Sequence, residues 1–165
     1  MSEAKLLSIW VKAPILKGAD ILLVSECVKY VNPKILKEIG KGKTILTYCP
    51  EREGAMGYGK LASIIRASKP KSITVLTIDG SPHCIQLHAA VNEAIFDTAE
   101  QIRQEHFVLV DGIQLVKIAP DAVRVARYLS LVQKLINEKP DILRELEKHS
   151  LEYKSSIKMK LEKHS

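Results

Sequence analysis

The feature that most constrains this chain is a strand-like run followed by a helix-patterned segment, three times in succession. Ala19 to Ser25, Thr44 to Tyr48 and Ser72 to Ile78 are apolar or β-branched at consecutive positions and bounded by Gly, Pro or polar residues. Runs without polar alternation mark strands buried on both faces, the habit of parallel strands covered by helices. Between them, Pro33 to Ile39 opens with proline at a first-turn position, and Tyr58 to Ser68 carries Leu61, Ile64 and Ile65 at helical spacing. A third helix is predicted from about Cys84 to Gln104, with Leu87, Val91, Ala94, Ile95 and Ile102 along one side. Such alternation calls for right-handed βαβ crossovers, and so for an α/β fold with a three-layer Rossmann-like or flavodoxin-like open sheet, mostly parallel.

A fourth run, Phe107 to Val110, meets Asp111-Gly112 and then Ile113 to Ile118, the signature of a type I′ hairpin that closes the sheet with an antiparallel strand. Beyond Pro120 the pattern is helical, with Val125, Tyr128, Leu129, Val132, Leu135 and Ile136 on one stripe and a break at Pro140. The expected organisation is one α/β domain over residues 1–139 and a charged helical extension over 140–165. That extension has a thin stripe of Ile142, Leu146, Tyr153, Ile157 and Leu161, and a basic end at Lys154, Lys158, Lys160 and Lys163. Its face can dock on the domain or join subunits into a homo-oligomer.

With 46% hydrophobic and 27% charged residues, the 165-residue chain has the composition of a folded domain. The first ten residues lack a signal-peptide pattern and no apolar stretch has membrane-spanning length, so a cytoplasmic protein without a membrane partner is expected. The net charge of +6 is spread along the sequence and only Trp10 and Tyr30 accompany the lysines of the first quarter, which argues against a nucleic-acid partner.

Three cysteines are an odd number for a disulfide framework, leaving free thiols or metal ligands. Cys27 follows the first strand run, Cys49 the second, and Cys84 lies in the loop after the third. Open α/β sheets bind ligands outside the carboxyl ends of their strands, so the three thiols are expected at one edge, within reach of one ion or cluster. Beside Cys84 stand His83, the better fourth ligand, and His88, which at i+4 on the helix faces the site or packs on the sheet. Glu26 offers an oxygen. A Cys3His set suits zinc or an iron-sulfur centre. A metal-free redox thiol is the other use of Cys84, since a helix N-terminus stabilises thiolate.

After Cys49, the stretch Gly54-Ala-Met-Gly57-Tyr-Gly59-Lys60 satisfies the G-x-x-x-x-G-K part of a phosphate loop. Leu61 stands where Ser or Thr should hold magnesium, which argues against ATP hydrolysis. The alternative function is thus a nucleotide or phosphate-ligand module using Gly54, Gly57, Gly59 and Lys60, with the cysteines incidental. Glu51 and Glu53 oppose an anion there, and the segment reads better as a cover over the cysteines. No catalytic residue set stands out.

Ala13-Pro14, Lys17-Gly18-Ala19-Asp20, Cys27-Val28, Cys49-Pro50, Lys71-Ser-Ile-Thr-Val75 and Pro82-His83-Cys84 together resemble the C-terminal α/β domain of prokaryotic ferredoxin-type iron-sulfur cluster-binding proteins. The resemblance implies a cluster, of the 4Fe-4S kind, on Cys27, Cys49 and Cys84, and a role in electron transfer or cluster handling, with zinc as the alternative metal. Members commonly have cysteine where this chain has His83, which makes His83 the fourth ligand or leaves one position exchangeable. They also carry a preceding ferredoxin domain, for which Met1 to Ser8 leaves no room. A redox or cluster-transfer partner protein would then supply the neighbouring cluster.

Overall fold

The computed structural model describes residues 2–162, apart from the side chains of Ala55, Leu161 and Glu162. Leu161 as a stripe residue and Lys163 as part of the basic end therefore lie outside what is described. In chain order come β1 (Glu3–Lys5), β2 (Asp20–Ser25), α1 (Val28–Val31), α2 (Pro33–Ile39), β3 (Thr44–Tyr48), α3 (Pro50–Glu53), α4 (Gly57–Ser68), β4 (Ser72–Ile78) and α5 (Ile85–Thr98). They are followed by β5 (Arg103–Val110), β6 (Gln114–Ile118), α6 (Pro120–Ala126), α7 (Leu129–Glu138), α8 (Ile142–His149) and α9 (Leu151–Glu162).

The sheet order is β1-β3-β2-β4-β5-β6, with every pair parallel except β5 and β6. This is the expected mostly parallel, Rossmann-like sheet with an antiparallel last strand. Strand alternation divides the core into two clusters, one on each face. Ile21 and Leu23 of β2, Leu46 and Tyr48 of β3, and Ile73 and Val75 of β4 pack with Leu61, Ile64 and Ile65 of α4 and Leu87, Val91 and Ala94 of α5. Leu22, Val24, Ile45 and Leu76 pack on the other face with Val28 of α1 and with Ile35, Leu36 and Ile39 of α2. Helices on both faces explain why these strands are buried at almost every position.

The chain crosses from β2 to β3 through α1 and α2 on one face, and from β3 to β4 and β4 to β5 through α4 and α5 on the other. Adjacent strands β2 and β4 therefore send their following segments to opposite faces, which opens a crevice at their carboxyl ends. The hairpin turn has positive φ at both central residues, 49° at Asp111 and 73° at Gly112, and Ile113 N–H donates to Val110 O at 3.0 Å. That is the geometry the Asp-Gly pair predicts. Asn32 caps α2 by accepting from Ile35 N–H at 3.1 Å, and its Nδ2 donates to Gly112 O at 3.1 Å, pinning the hairpin tip.

Several elements depart from the sequence pattern. The long helix predicted to Gln104 stops at Thr98, because Ala99 takes a left-handed cap (φ 52°), and β5 starts at Arg103 with half-buried polar residues instead of at Phe107. β1 and α1 are too short for any periodicity to reveal them. The segment after Cys49 forms α3 followed by a 3-10 turn, Gly54–Met56.

Contacts divide the chain into two compact units, Met1–Val123 and Arg124–Ser165. Among the described residues Val123 is the last buried side chain, and the division falls inside α6, with Pro140 between α7 and α8. No described side chain of residues 124–160 is buried. Within this second unit, Val132, Leu135, Ile136 and Ile142 line an apolar groove of about 640 Å³ between α7 and α8. No helix among the described residues is long and apolar enough to cross a membrane.

Candidate functional site

The carboxyl ends of the adjacent strands β3, β2 and β4 lead directly to the three cysteines. Each cysteine occupies the cap position of the helix that follows: Cys27 before α1, Cys49 before α3 and Cys84 before α5. Their exposure is graded, with Cys27 exposed, Cys49 intermediate and Cys84 buried, and all three are free thiols. Burial raises the Cys27 thiol above its ordinary value, and the neighbouring Cys49, Cys84, Glu26 and Glu51 add to the rise. The three sulfurs are thus within electrostatic reach of one another, and Cys27 is held in its neutral form. Among the described residues, no three His, Cys, Asp or Glu side chains already form an ion cage.

α3 ties the cysteine loops together, and each of its charged residues does a separate part. Arg52 Nη2 lies 2.6 Å from Glu26 Oε2, joining the Cys27 loop to α3, and Lys5 Nζ lies 3.6 Å from the other oxygen of Glu26. Glu26 is therefore neutralised by two cations and is not a free oxygen ligand. Glu51 Oε2 lies 3.8 Å from His83 Nδ1, joining α3 to the Cys84 loop. Glu53 Oε2 accepts from Cys49 N–H at 2.8 Å, and the Glu26 backbone N–H donates to Tyr48 O at 3.2 Å. The sequence shows Pro50-Glu-Arg-Glu53 plainly, but nothing in it pairs Arg52 with Glu26 or Glu51 with His83.

The glycines of the phosphate-loop-like stretch have structural explanations at two positions of three. Gly54 has φ 68° and ψ −159°, a backbone that disfavours a side chain. At Gly57 an added Cβ would lie 2.9 Å from Cζ of Tyr48. The Tyr48 hydroxyl donates to Gly54 O and accepts from Gly57 N–H at 3.1 Å. Gly59 faces open space, and Lys60 lies inside the first turn of α4. The start of α5 is likewise occupied locally: Cys84 N–H donates to Ser81 Oγ at 3.4 Å, Gln86 N–H to His83 O at 3.1 Å and Leu87 N–H to Cys84 O at 3.1 Å. Gly57 N–H and these amides of α5 are thus engaged within the protein.

His88 does not join the cysteines. It is 2% exposed, and its Nε2 lies 2.8 Å from Thr77 Oγ1 on β4, with Nδ1 2.8 Å from Nδ1 of His106 on β5. Burial, with His106 alongside, lowers its pKa to about 3.

A doubly covered parallel sheet with its polar and sulfur-bearing residues gathered at the carboxyl edge defines a Rossmann-like protein. The chain matches the family model described as a Rossmann-like domain over residues 13–164, and it belongs to that family. No curated protein and no solved structure matches it.

Proposed function

We propose that this protein holds a metal centre on the thiolates of Cys27, Cys49 and Cys84, with His83 as fourth ligand. The centre is an iron-sulfur cluster of the 4Fe-4S kind or, as the alternative, zinc, and the role is electron transfer or cluster handling with a redox or cluster-transfer partner. The observation that carries the reading is that all three cysteines of the chain cap the segments leaving three adjacent parallel strands. Buried or unrelated thiols would have no reason to share one edge of the sheet.

The donor set fits the group. Thiolates with imidazole are soft ligands for zinc or iron-sulfur chemistry. Burial, and after it the neighbouring thiols and carboxylates, oppose ionisation of Cys27, and a bound cation would offset that opposition. With Nδ1 turned to Glu51, His83 keeps Nε2 for the metal, in the manner of a metal-ligating histidine oriented by a carboxylate. The Glu26–Arg52 and Glu51–His83 pairs hold the loops in register, and Arg52 and Lys5 offset negative charge at the edge. A bound cluster would supply one-electron redox chemistry, and these residues would set its position and electrostatic surroundings.

Anaerobically purified wild type is expected to contain iron, or else zinc, by elemental analysis, and Cys49→Ser to lose it while keeping the far-UV circular dichroism of the fold. Wild-type protein with neither metal would sink the reading.

A further inference from the structure

Among the described residues, two buried side-chain polar atoms have no hydrogen-bonding partner: Asn92 Oδ1 and Ser25 Oγ. Asn92 is anchored at the other end of its amide, where Nδ2 donates to Pro120 O at 3.4 Å. Ser25 is 2% exposed and has only its hydroxyl to anchor. Leaving a buried hydroxyl unpaired costs about 1–3 kcal/mol, and native interiors retain few such groups without a use for them.

The place of Ser25 suggests the use. It is the last residue of β2 and stands in register with Tyr48, the residue before Cys49. On its other side the pairing of β2 with β4 runs to Val24 and Leu76, which sets Ser25 beside Thr77. Alternation puts it on the face of Ile21 and Leu23, under α4 and α5. Both flanking hydroxyls are engaged, Tyr48 with Gly54 and Gly57, and Thr77 with His88. In this row across the carboxyl edge, Ser25 alone lacks a partner, and it lies between the strands that lead to Cys49 and Cys84, two residues before Cys27.

We propose that Ser25 is a positioning residue whose Oγ–H donates a hydrogen bond to a sulfur of the thiolate-held centre. The inference rests on the reading given under Proposed function. A donor to thiolate or sulfide stabilises the more negatively charged, reduced state, so it raises the reduction potential. A sulfur of the centre would supply the acceptor that Ser25 Oγ does not find among the described residues.

The test compares wild type, Ser25→Ala and Ser25→Thr, purified anaerobically and treated with ferrous iron and sulfide. Without metal, Ser25→Ala is expected to melt above wild type, since an orphan hydroxyl has been removed. Loaded, Ser25→Ala is expected to shift the reduction equilibrium about tenfold toward the oxidised form, about 59 mV for one electron, while Ser25→Thr keeps the wild-type potential. Equal potentials in loaded wild type and Ser25→Ala overturn the role of Ser25 and leave the metal centre standing. A metal-free Ser25→Ala that melts below wild type overturns it as well, because the hydroxyl must then be bonded already inside the protein. If wild type retains neither iron nor zinc, the metal reading and this inference fall together, and zinc without iron overturns this inference alone.

Discussion

His88 shows how far burial reaches at a single residue. Two Nδ1 atoms 2.8 Å apart must share one proton, so one ring donates and the other accepts. With His106 Nε2 donating to Gln104 Oε1 at 3.0 Å, His106 Nδ1 is the acceptor, His88 Nδ1 donates, and His88 Nε2 accepts from Thr77. The whole chain is satisfied with neutral rings, and a second proton on His88 would go to Nε2, where burial first and His106 second oppose the charge. Because the folded-state pKa of about 3 lies below the ordinary 6.5, both states are neutral above pH 6.5 and only the unfolded chain takes up the proton below it. Stability from this site is therefore complete above about pH 6.5 and declines as pH falls toward 3, at up to about 1.4 kcal/mol per pH unit. Urea melts at pH 7.5 and 5.0 should show a loss on the order of 2 kcal/mol in wild type. The loss should be smaller in His88→Gln, and an identical loss in both would refute the assignment. The sequence places His88 one turn from Cys84, which leaves two readings open. Only the pairing of β4 with β5 brings His106 to the ring, and a separation of eighteen positions along the chain hides that neighbour.

At the level of elements, local signals were legible and non-local ones were not. The Asp111-Gly112 turn and the centres of β2, β3 and β4 could be read because turn chemistry and two-sided burial leave their mark on consecutive residues. The start of β5 could not, since Arg103-Gln-Glu-His is polar and its pairing with Ser72–Thr74 and Ile118 is long-range. The cysteine edge was legible as topology, but α3 as the element that ties its loops together was not. The glycine-rich stretch tests this distinction directly. Gly57→Ala presses a methyl against the Tyr48 ring and disturbs the hydroxyl that bonds Gly54 and Gly57, so it should cost about 1–3 kcal/mol in chemical denaturation. Gly59→Ala enters open space within a helix and should be neutral or stabilise by about 0.5–1 kcal/mol. If Gly59→Ala instead destabilised as much as Gly57→Ala, steric contact with Tyr48 would not be the reason that glycine is needed at position 57.

For the whole molecule, the distribution of burial decides which part can stand alone. Both core clusters, with the partly buried residues packed on them, lie between Ala4 and Leu115, and burial of each fully enclosed Leu or Ile contributes roughly 1.5–3 kcal/mol. Residues 124–160 have no buried described side chain, although Leu129, Leu135, Ile142 and Leu146 are exposed by 43% to 77% on amphipathic helices. Their apolar faces contribute little to a core of their own, and short helices without tertiary burial are marginal in water. A chain ending at Val123 should therefore keep one cooperative unfolding transition and show the same metal content as the full chain, because β2, β3, β4 and α3 all remain. The separate peptide 124–165 should show weak helicity that rises with concentration if its faces pair with a second copy. Circular dichroism of both pieces, with sedimentation of the full chain, tests the division. Loss of cooperative unfolding on truncation at Val123 would mean that the second unit completes the first, and the cysteine edge would then depend on helices that share none of its strands.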